Sequence, residues 1–348
     1  MPRGLLVALT ASFAVVVATA APGSAESQAA ANAAPAVCRD VTIPVSLTGT
    51  GPTTQQLYGR LCTPPAATTL QVLLSGITYD HTYWDLPGPS ADPARYSYVA
   101  HANAAGFATL ALDRIGIGRS SHPSGLLVTI DSDAATTHQA IQAIRRDGFR
   151  KVVLVAHSYG SWTTWYEASR YHDVDAVVLS GVSHGVNLTA PIRLAPLLLH
   201  PAVLDPELGS RYTDLTYLTT PPGLRDEMFH SPERVDPSLV AFDEAHKSTV
   251  TVGEVDNYPL ILLHPLDIRA PVLLANGTAD PLFCGLGGAN CSSASSLVRS
   301  EKSHLGRQVP EVDGFVLPGA GHDLNYAPQA GQWFAAAQAW ITQHASTS

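Results

Sequence analysis

The sequence is poor in charged residues and contains no cluster of basic ones. Charged residues make up 14% of the 348 residues, and 29 acidic residues outnumber 20 lysines and arginines. A protein that binds nucleic acid carries a basic patch or stripe that neutralises phosphate groups. We therefore expect no nucleic-acid partner, and we expect the ligand to be a neutral or apolar small molecule.

Long apolar runs are absent after the first 25 residues, so we expect no stable membrane insertion of the mature chain. The apolar stretch at residues 5–18 follows Arg3 and is followed by small residues. This order is typical of a secretory signal peptide that is cleaved after Ala20 or Ala25, and an uncleaved membrane anchor is the alternative. We expect the protein to be secreted.

Cysteine is scarce, with four residues in the chain. An even number of cysteines in an exported chain predicts disulfide bonds. Of the three possible pairings, the local one joins Cys38 to Cys62 and Cys284 to Cys291. Zinc binding is the rival interpretation, but the spacing of these cysteines does not resemble a metal site. We expect two disulfides and no metal.

Short apolar runs alternate with helical patterns along the rest of the chain. Residues 41–47 and 56–62 predict an edge hairpin, because polar and apolar residues alternate there. Further strands are predicted at residues 70–74, 108–112, 152–155, 176–179 and 272–275. Helices are predicted at residues 132–146, 162–171 and 329–344. Alternating strands and helices predict a mostly parallel sheet, which binds ligands beyond the carboxyl ends of its strands.

One interval, at about residues 185–256, breaks this alternation. It contains no strand-length apolar run and is dense in proline. Structureless loops of this length are uncommon in compact domains, so we expect short helices, such as residues 190–199 and 237–248. We interpret the interval as a lid inserted over the active face.

Ser158 ends a buried strand abruptly, between the small residues Ala156 and Gly160. A serine on a tight turn between a strand and a helix stands clear of its own backbone, as a nucleophile must. The small residues two positions before and after it let the strand and the helix approach closely. A serine that merely caps a helix is the alternative. We interpret Ser158 as a nucleophile.

A serine nucleophile needs a base, which should follow the last strand of the sheet and reach back over the turn. His322 lies in a glycine-rich loop between a further apolar strand, predicted from residue 315 onwards, and the terminal helix. The chain has 14 histidines, and this position favours His322 over His304, in a polar stretch, and His157, which neighbours the serine only in sequence. We expect His322 to be the base.

The base in turn needs an acid that fixes its tautomer and stabilises the imidazolium. Asp280 follows the strand predicted at residues 272–275, and the order serine, aspartate, histidine is the order found in one fold in particular. We therefore choose Asp280 as the acid. The alternatives for this role are Asp256 and Asp267. Asp313 and Asp323 are interpreted as structural.

Two backbone N–H groups are expected to stabilise the tetrahedral intermediate. The first is that of Tyr159, immediately after the nucleophile. The second should come from the loop after the strand at residues 70–74, where Gly76 lets the backbone approach a ligand. We expect the N–H of Ile77 in this role, with that of Thr78 as the alternative.

From about Leu70 to its C terminus, the chain resembles the α/β-hydrolase fold superfamily. The resemblance is carried by Ser75-Gly76, by residues 113–120, by residues 156–160, and by Asp280 and His322. It implies an α/β protein with a mostly parallel eight-stranded sheet, helices on both faces and a helical lid. Ser75 stands where that family often has histidine. The dehalogenases and epoxide hydrolases of this fold carry aspartate at the turn, so Ser158 argues against membership of either class.

The N-terminal pattern and the resemblance together predict a domain organisation, and the resemblance implies a function. The domain organisation is a signal peptide at residues 1–25, a flexible leader at 26–37 and a catalytic domain at 38–348. The expected activity is that of a secreted serine hydrolase that cleaves a carboxylic ester or lactone through an acyl-enzyme on Ser158, without a cofactor. A natural-product-specific peptidase or acyltransferase and a non-catalytic binding protein are the alternatives. The oligomeric state is not predicted.

Overall fold

An eight-stranded sheet organises the chain. The computed structural model describes Met1 and residues 35–86, 93–189, 199–231 and 235–345. The chain divides into two units, Met1–Ala34 and Pro35–Ser348, and every element described below belongs to the second. The predicted signal peptide, except Met1, most of the predicted leader and nearly all of the helix predicted at residues 190–199 lie outside the described residues.

The described residues form eleven strands. They are β1 (Val37–Val45), β2 (Gln55–Thr63), β3 (Thr69–Leu74), β4 (Ala108–Leu112), β5 (Lys151–His157), β6 (Ala176–Ser180), β7 (His200–Pro201), β8 (Tyr217–Thr219), β9 (Val250–Thr251), β10 (Val272–Gly277) and β11 (Val312–Leu317). The large sheet has the order β1-β2-β4-β3-β5-β6-β10-β11, and the other three strands form a small separate sheet. The large sheet confirms the predicted α/β fold class.

Strand direction in the large sheet agrees with the prediction. β1 and β2 form an antiparallel edge hairpin, and β2 is antiparallel to β4. All pairs from β4 to β11 are parallel. The carboxyl ends of β3, β5, β10 and β11 therefore lie along one edge of the sheet, which is where a ligand is expected.

Nine α-helices accompany the strands in the described part of the chain. They are α1 (Tyr98–Ala104), α2 (Ile130–Arg145), α3 (Tyr159–Tyr171), α4 (Arg225–Phe229), α5 (Pro237–Ala245), α6 (Val252–Asp256), α7 (Tyr258–Leu263), α8 (Ala294–Glu301) and α9 (Ala330–Ala345). Helices that cover both faces explain why every residue of β3, β4, β6 and β10 is buried. In β5, Val153 packs in the same core as Trp333 of α9, whereas Leu154 packs in a second core with Ile141 of α2.

The interval interpreted as a lid contains α4, α5 and α6 together with the small sheet β7-β8-β9. The helix predicted at residues 237–248 is present as α5, which ends earlier, at Ala245. The small sheet was not predicted. Its strands are two or three residues long, too short to show an alternating pattern in the sequence.

Both disulfides join the cysteines that the local pairing predicts. Cys38 and Cys62 lie opposite each other in the β1-β2 hairpin and are bonded. Cys284 and Cys291 close the loop that follows β10. Among the described residues, no helix combines the length and the apolarity that crossing a membrane requires.

Candidate active site

Ser158 lies on a sharp turn between β5 and α3. Its backbone has φ 55° and ψ −122°, a region that residues other than glycine rarely occupy. A Cβ atom at Gly160 would lie 2.4 Å from the carbonyl oxygen of Leu74, so only glycine lets α3 begin this close to β3. A Cβ atom at Gly76 would lie 2.8 Å from the Cβ of Ser158. The loop after β3 therefore passes directly against the serine.

The structure brings Ser158, His322 and Asp280 together. The Ser158 Oγ lies 2.8 Å from the Nε2 of His322, and the Nδ1 of His322 lies 3.0 Å from the Oδ2 of Asp280. The Oδ1 of Asp280 accepts hydrogen bonds from the backbone N–H groups of Leu282 and Phe283. The three side chains are buried, and Ser158 is 8% exposed. This chain of contacts can move a proton from the hydroxyl to the imidazole.

The electrostatic environment prepares His322 to accept a proton. Burial lowers the pKa of His322, but the charge of Asp280 and its hydrogen bond outweigh this effect and raise the pKa above its usual value. Burial likewise raises the pKa of Asp280, but His322 and the two backbone N–H groups lower it overall. Asp280 therefore stays ionised and stabilises the imidazolium form.

The loop after β3 lies beside the serine. Ile77 and Tyr159 both line the cavity that Ser158 faces. The backbone N–H of Thr78 is the alternative to that of Ile77 as the second oxyanion donor. It donates to the carbonyl of Thr249 at 3.1 Å. Because that N–H is already engaged, Ile77 is the better of the two candidates for binding an oxyanion.

Arg114 binds the backbone of this loop. It is buried, its Nε donates to the carbonyl of Ser75 at 3.2 Å and its Nη2 donates to the carbonyl of Gly76 at 3.3 Å. Its charge is balanced by Asp133 and Glu254, both buried. Two carbonyls turned towards the arginine fix the orientation of the peptide groups that follow them. Arg114 therefore supports the loop that contains Ser75 and Gly76.

Arg225 of α4, in the interval interpreted as a lid, binds the same loop. Its Nη1 donates to the Oγ1 of Thr78 at 2.8 Å, and its Nε and Nη2 bind the two carboxylate oxygens of Asp243 at 2.8 Å each. Thr78 has φ 57°, so the hydrogen bond anchors a strained backbone. Burial raises the pKa of Asp243, but the charges of Arg225 and His230 outweigh it and lower the pKa to about 2.

A buried polar layer connects this ion pair to the base. Asp323 follows His322 and accepts from Tyr79 through Oδ2 and from His157, whose Nε2 lies 3.0 Å from Oδ1. The hydroxyl of Tyr79 also contacts Asp243, at 3.0 Å. The ring of His157 lies 4.7 Å from that of His322, between centroids. His157, predicted to neighbour the serine only in sequence, therefore packs against the base.

His157, His322 and Asp323 form a group of possible metal ligands. The four ring nitrogens contact Asp323, Ser180, Asp280 and Ser158, and both oxygens of Asp323 accept hydrogen bonds. The group therefore has no free ligand atom to offer a metal ion.

The other candidates from the sequence lie elsewhere. Asp256 is exposed, and Asp267 pairs with Arg269 at 2.6 Å. Asp313 accepts a hydrogen bond from Trp340 at 2.7 Å. The ring of His304 stacks on that of His184, 4.5 Å away. None of these contacts involves Ser158 or His322.

A cavity of about 340 Å³ opens beside Ser158. Apart from the serine, its lining is apolar or aromatic: Ile77, Tyr159, Trp162, Val186, Met228, Phe229, Tyr258, Pro259, Leu262, Leu282 and Phe283. No charged residue is among the lining residues that the structure describes. The volume lies near the lower end of the range for small-molecule sites. The cavity can therefore hold a small neutral group next to the serine hydroxyl.

Solved structures with this architecture have low sequence identity to the chain. An esterase from Rhodococcus sp. is 16% identical with a TM-score of 0.57, and the match covers 88% of this chain and 99% of that chain. A monoacylglycerol lipase from Paleococcus ferrophilus is 18% identical with a TM-score of 0.51, covering 88% and 99%. An enol-lactonase from Burkholderia xenovorans is 16% identical with a TM-score of 0.53, covering 83% and 97%. At these identities the likeness shows the fold.

A sequence model described as the alpha/beta hydrolase family matches residues 71–337. The match covers well over half of the chain and includes Ser158, Asp280 and His322. The chain therefore belongs to the alpha/beta hydrolase family. No curated protein sequence matches it significantly.

Proposed function

We propose that this protein is a serine hydrolase that cleaves a carboxylic ester or lactone. The observation that carries the proposal is the contact of 2.8 Å between the Ser158 Oγ and the His322 Nε2, at a turn that exposes the serine to an apolar cavity. The esterase, lipase and lactonase named above add support, because all three share this fold.

In the proposed reaction, His322 takes the proton of Ser158 as its Oγ attacks the carbonyl carbon of the substrate. The N–H groups of Ile77 and Tyr159 stabilise the negative charge on the carbonyl oxygen. The imidazolium then gives its proton to the leaving oxygen, and the carbon–oxygen bond breaks. For a lactone, the leaving hydroxyl remains on the acyl chain.

Water completes the proposed cycle. His322 takes a proton from a water molecule, which attacks the acyl-enzyme, and the same proton returns to the Ser158 oxygen as the acid leaves. Asp280 keeps the imidazole oriented through both steps. The apolar lining of the cavity favours an uncharged, apolar acyl or alkyl group, since a charged group would lose its hydration there.

Turnover of short p-nitrophenyl esters and of simple lactones tests the proposal. Ser158→Ala should lower kcat by on the order of 10⁶-fold, because the nucleophile is lost. Ser161→Ala is the matched control, since Ser161 lies one turn further along α3 and its hydroxyl donates to the carbonyl of Ser180. Ester turnover that survives in Ser158→Ala would overturn the proposal. Labelling by a fluorophosphonate without any turnover would favour the peptidase or acyltransferase alternative.

We also propose that the protein is exported after removal of a signal peptide. The two disulfides support this, because such bonds persist in oxidising compartments outside the cytosol. The order of charged, apolar and small residues at the N terminus supports it independently.

A further inference from the structure

A second group of ionisable side chains lies far from the serine, where α2 packs against α3. His138 belongs to α2, Glu167 belongs to α3, and Asp173 lies in the loop that follows α3. Glu167 is nine residues after Ser158, which corresponds to about 13 Å along the helix axis. We refer to His138, Glu167 and Asp173 as the helix-pair cluster.

The charges in the helix-pair cluster do not balance. Glu167 is fully buried, and neither of its carboxylate oxygens has a hydrogen-bond partner among the described residues. The Oδ1 of Asp173 also lacks a hydrogen-bond partner there. His138 can carry one positive charge, and its Nδ1 lies 2.9 Å from the Oδ2 of Asp173. One of the two carboxylates therefore still needs a proton or a cation, because an isolated buried charge is very costly.

The geometry of the helix-pair cluster suits a metal ion. Its ligand atoms lie within 4.8 Å of one another, with the His138 Nδ1 2.9 Å from Asp173 and 3.8 Å from Glu167. Ligands of a tetrahedral zinc ion, with metal–ligand distances near 2.0–2.1 Å, are about 3.3 Å apart. An imidazole nitrogen with two carboxylates is a donor set that zinc accepts.

Neighbouring side chains hold the ligands in place. The ring of Tyr171 stacks on that of His138 at 3.8 Å, and the Nε2 of Gln142 donates to the Oδ2 of Asp173 at 2.5 Å. His138 and Asp173 are partly exposed, with 26% and 14% of their side chains accessible, so an ion can enter from solvent. The cluster also lies at the carboxyl end of α3, where the helix dipole favours positive charge.

We propose that His138, Glu167 and Asp173 bind one divalent cation, with Zn²⁺ as the best match. The ion would replace the missing positive charge and would join α2, α3 and the following loop. It would thereby stabilise α3, the helix that follows Ser158. The site is structural, so its occupancy is read from binding and stability and does not depend on the proposed hydrolase activity.

Titration of the chelator-treated, dialysed protein with ZnCl₂ tests this proposal. Calorimetry should show one saturable site, and Zn²⁺ at 100 times its Kd should raise Tm by about 4 °C for a domain of this size. Glu167→Gln keeps the shape of the side chain but removes the charge, and it should abolish both effects. Glu311→Gln is the matched control, because Glu311 is exposed and lies with Asp313 and His344 in a group of the same composition.

Circular dichroism establishes that each variant is folded, and Asp173→Asn serves in place of Glu167→Gln if the latter fails to fold. The proposal is overturned if the wild-type protein shows no saturable Zn²⁺ binding and no change in Tm. It is also overturned if Glu167→Gln binds Zn²⁺ as the wild type does. Either result would assign the missing positive charge to a proton shared between Glu167 and Asp173.

Discussion

At the scale of single residues, the turn at Ser158 places strained backbone where the chemistry is proposed. A residue other than glycine at this φ and ψ costs about 1–3 kcal/mol, which the surrounding contacts must offset. The N–H of Ser158 donates to the carbonyl of Ser180 at 2.8 Å, and its carbonyl accepts from Ser161 in the first turn of α3. The close approach of Gly76 completes this packing.

Gly76→Ala should impair the site more than the fold. The added methyl group would lie 2.8 Å from the Cβ of Ser158 and would push the loop after β3 away from the serine. We expect kcat/KM for a p-nitrophenyl ester to fall roughly 10²-fold, as expected for a displacement of about 1 Å. Gly331→Ala is the control, because Gly331 has open space around its Cβ position. Wild-type activity in Gly76→Ala would show that the close contact between Gly76 and Ser158 is not needed for activity.

The pH dependence of kcat/KM reports the state of His322. Only the neutral imidazole accepts the proton of Ser158, and the pKa of His322 is raised, so activity should fall as pH decreases through a value above 6.5. Asp280→Asn removes the influence that raises this pKa. We expect the acid limb to move to lower pH and kcat to fall by on the order of 10⁴-fold. An unchanged pH profile in Asp280→Asn would assign the acid to another residue.

The sequence identified the three residues that the structure brings together because each follows a recognisable apolar strand. Parallel strands bring their carboxyl ends to one edge, so chain position alone placed Ser158, Asp280 and His322 near one another. The sequence could not reveal the roles of Arg114, Arg225 or the pair His157 and Asp323. Their charged partners lie on other elements, from 18 to 166 residues away in the chain, and no local pattern reveals such contacts.

At the scale of secondary-structure elements, the interval at about residues 185–256 contacts the loop beside Ser158. Arg225 of α4 and Asp243 of α5 form a fully buried pair that reaches Thr78 in the loop after β3. The N–H of Thr78 donates to the carbonyl of Thr249, next to β9. These contacts anchor this part of the interval to the loop that carries Ile77.

Arg225→Lys should test this anchoring role. Lysine keeps the positive charge but loses the two-point contact with Asp243 and the bond to Thr78. We expect a lower kcat together with a lower Tm, since disrupting a buried pair costs up to about 3–5 kcal/mol. Arg269→Lys is the control, because the pair of Arg269 with Asp267 is exposed and contributes about 0–1 kcal/mol. Equal effects of the two substitutions on kcat would contradict the anchoring role.

The elements themselves were predictable to different degrees. The strands of the large sheet and the helices α2 and α9 follow from apolar runs and helical periodicity, and each was found within a few residues. The β7-β8-β9 sheet was missed because its pairing depends on neighbours about 17 and 32 residues away along the chain. Local propensity carries no information about such contacts.

At the scale of the whole molecule, the fold supplies the position of the site, and the cavity limits what enters it. Family membership leaves the substrate open, because one fold supports many reactions. The low charge of the chain, the two disulfides and the apolar cavity are consistent with an exported enzyme that acts on neutral molecules.

Processing of the N terminus tests the proposed export. A gene that encodes residues 1–348, expressed in a secreting host, should release into the medium a protein whose first residue is Ala21 or Glu26. Terminal sequencing of the secreted protein measures this directly. Retention of Met1 in a membrane-bound product would support the uncleaved anchor instead.

The most direct test of the central claim is to identify the residue that a fluorophosphonate modifies. We predict a single adduct on Ser158, found by mass spectrometry of the digested wild-type protein. Protein that is unfolded by heat before labelling should give no adduct, because the reactivity of Ser158 depends on His322 and Asp280. An adduct on another serine, or no adduct on the folded protein, would contradict the claim that Ser158 is an activated nucleophile.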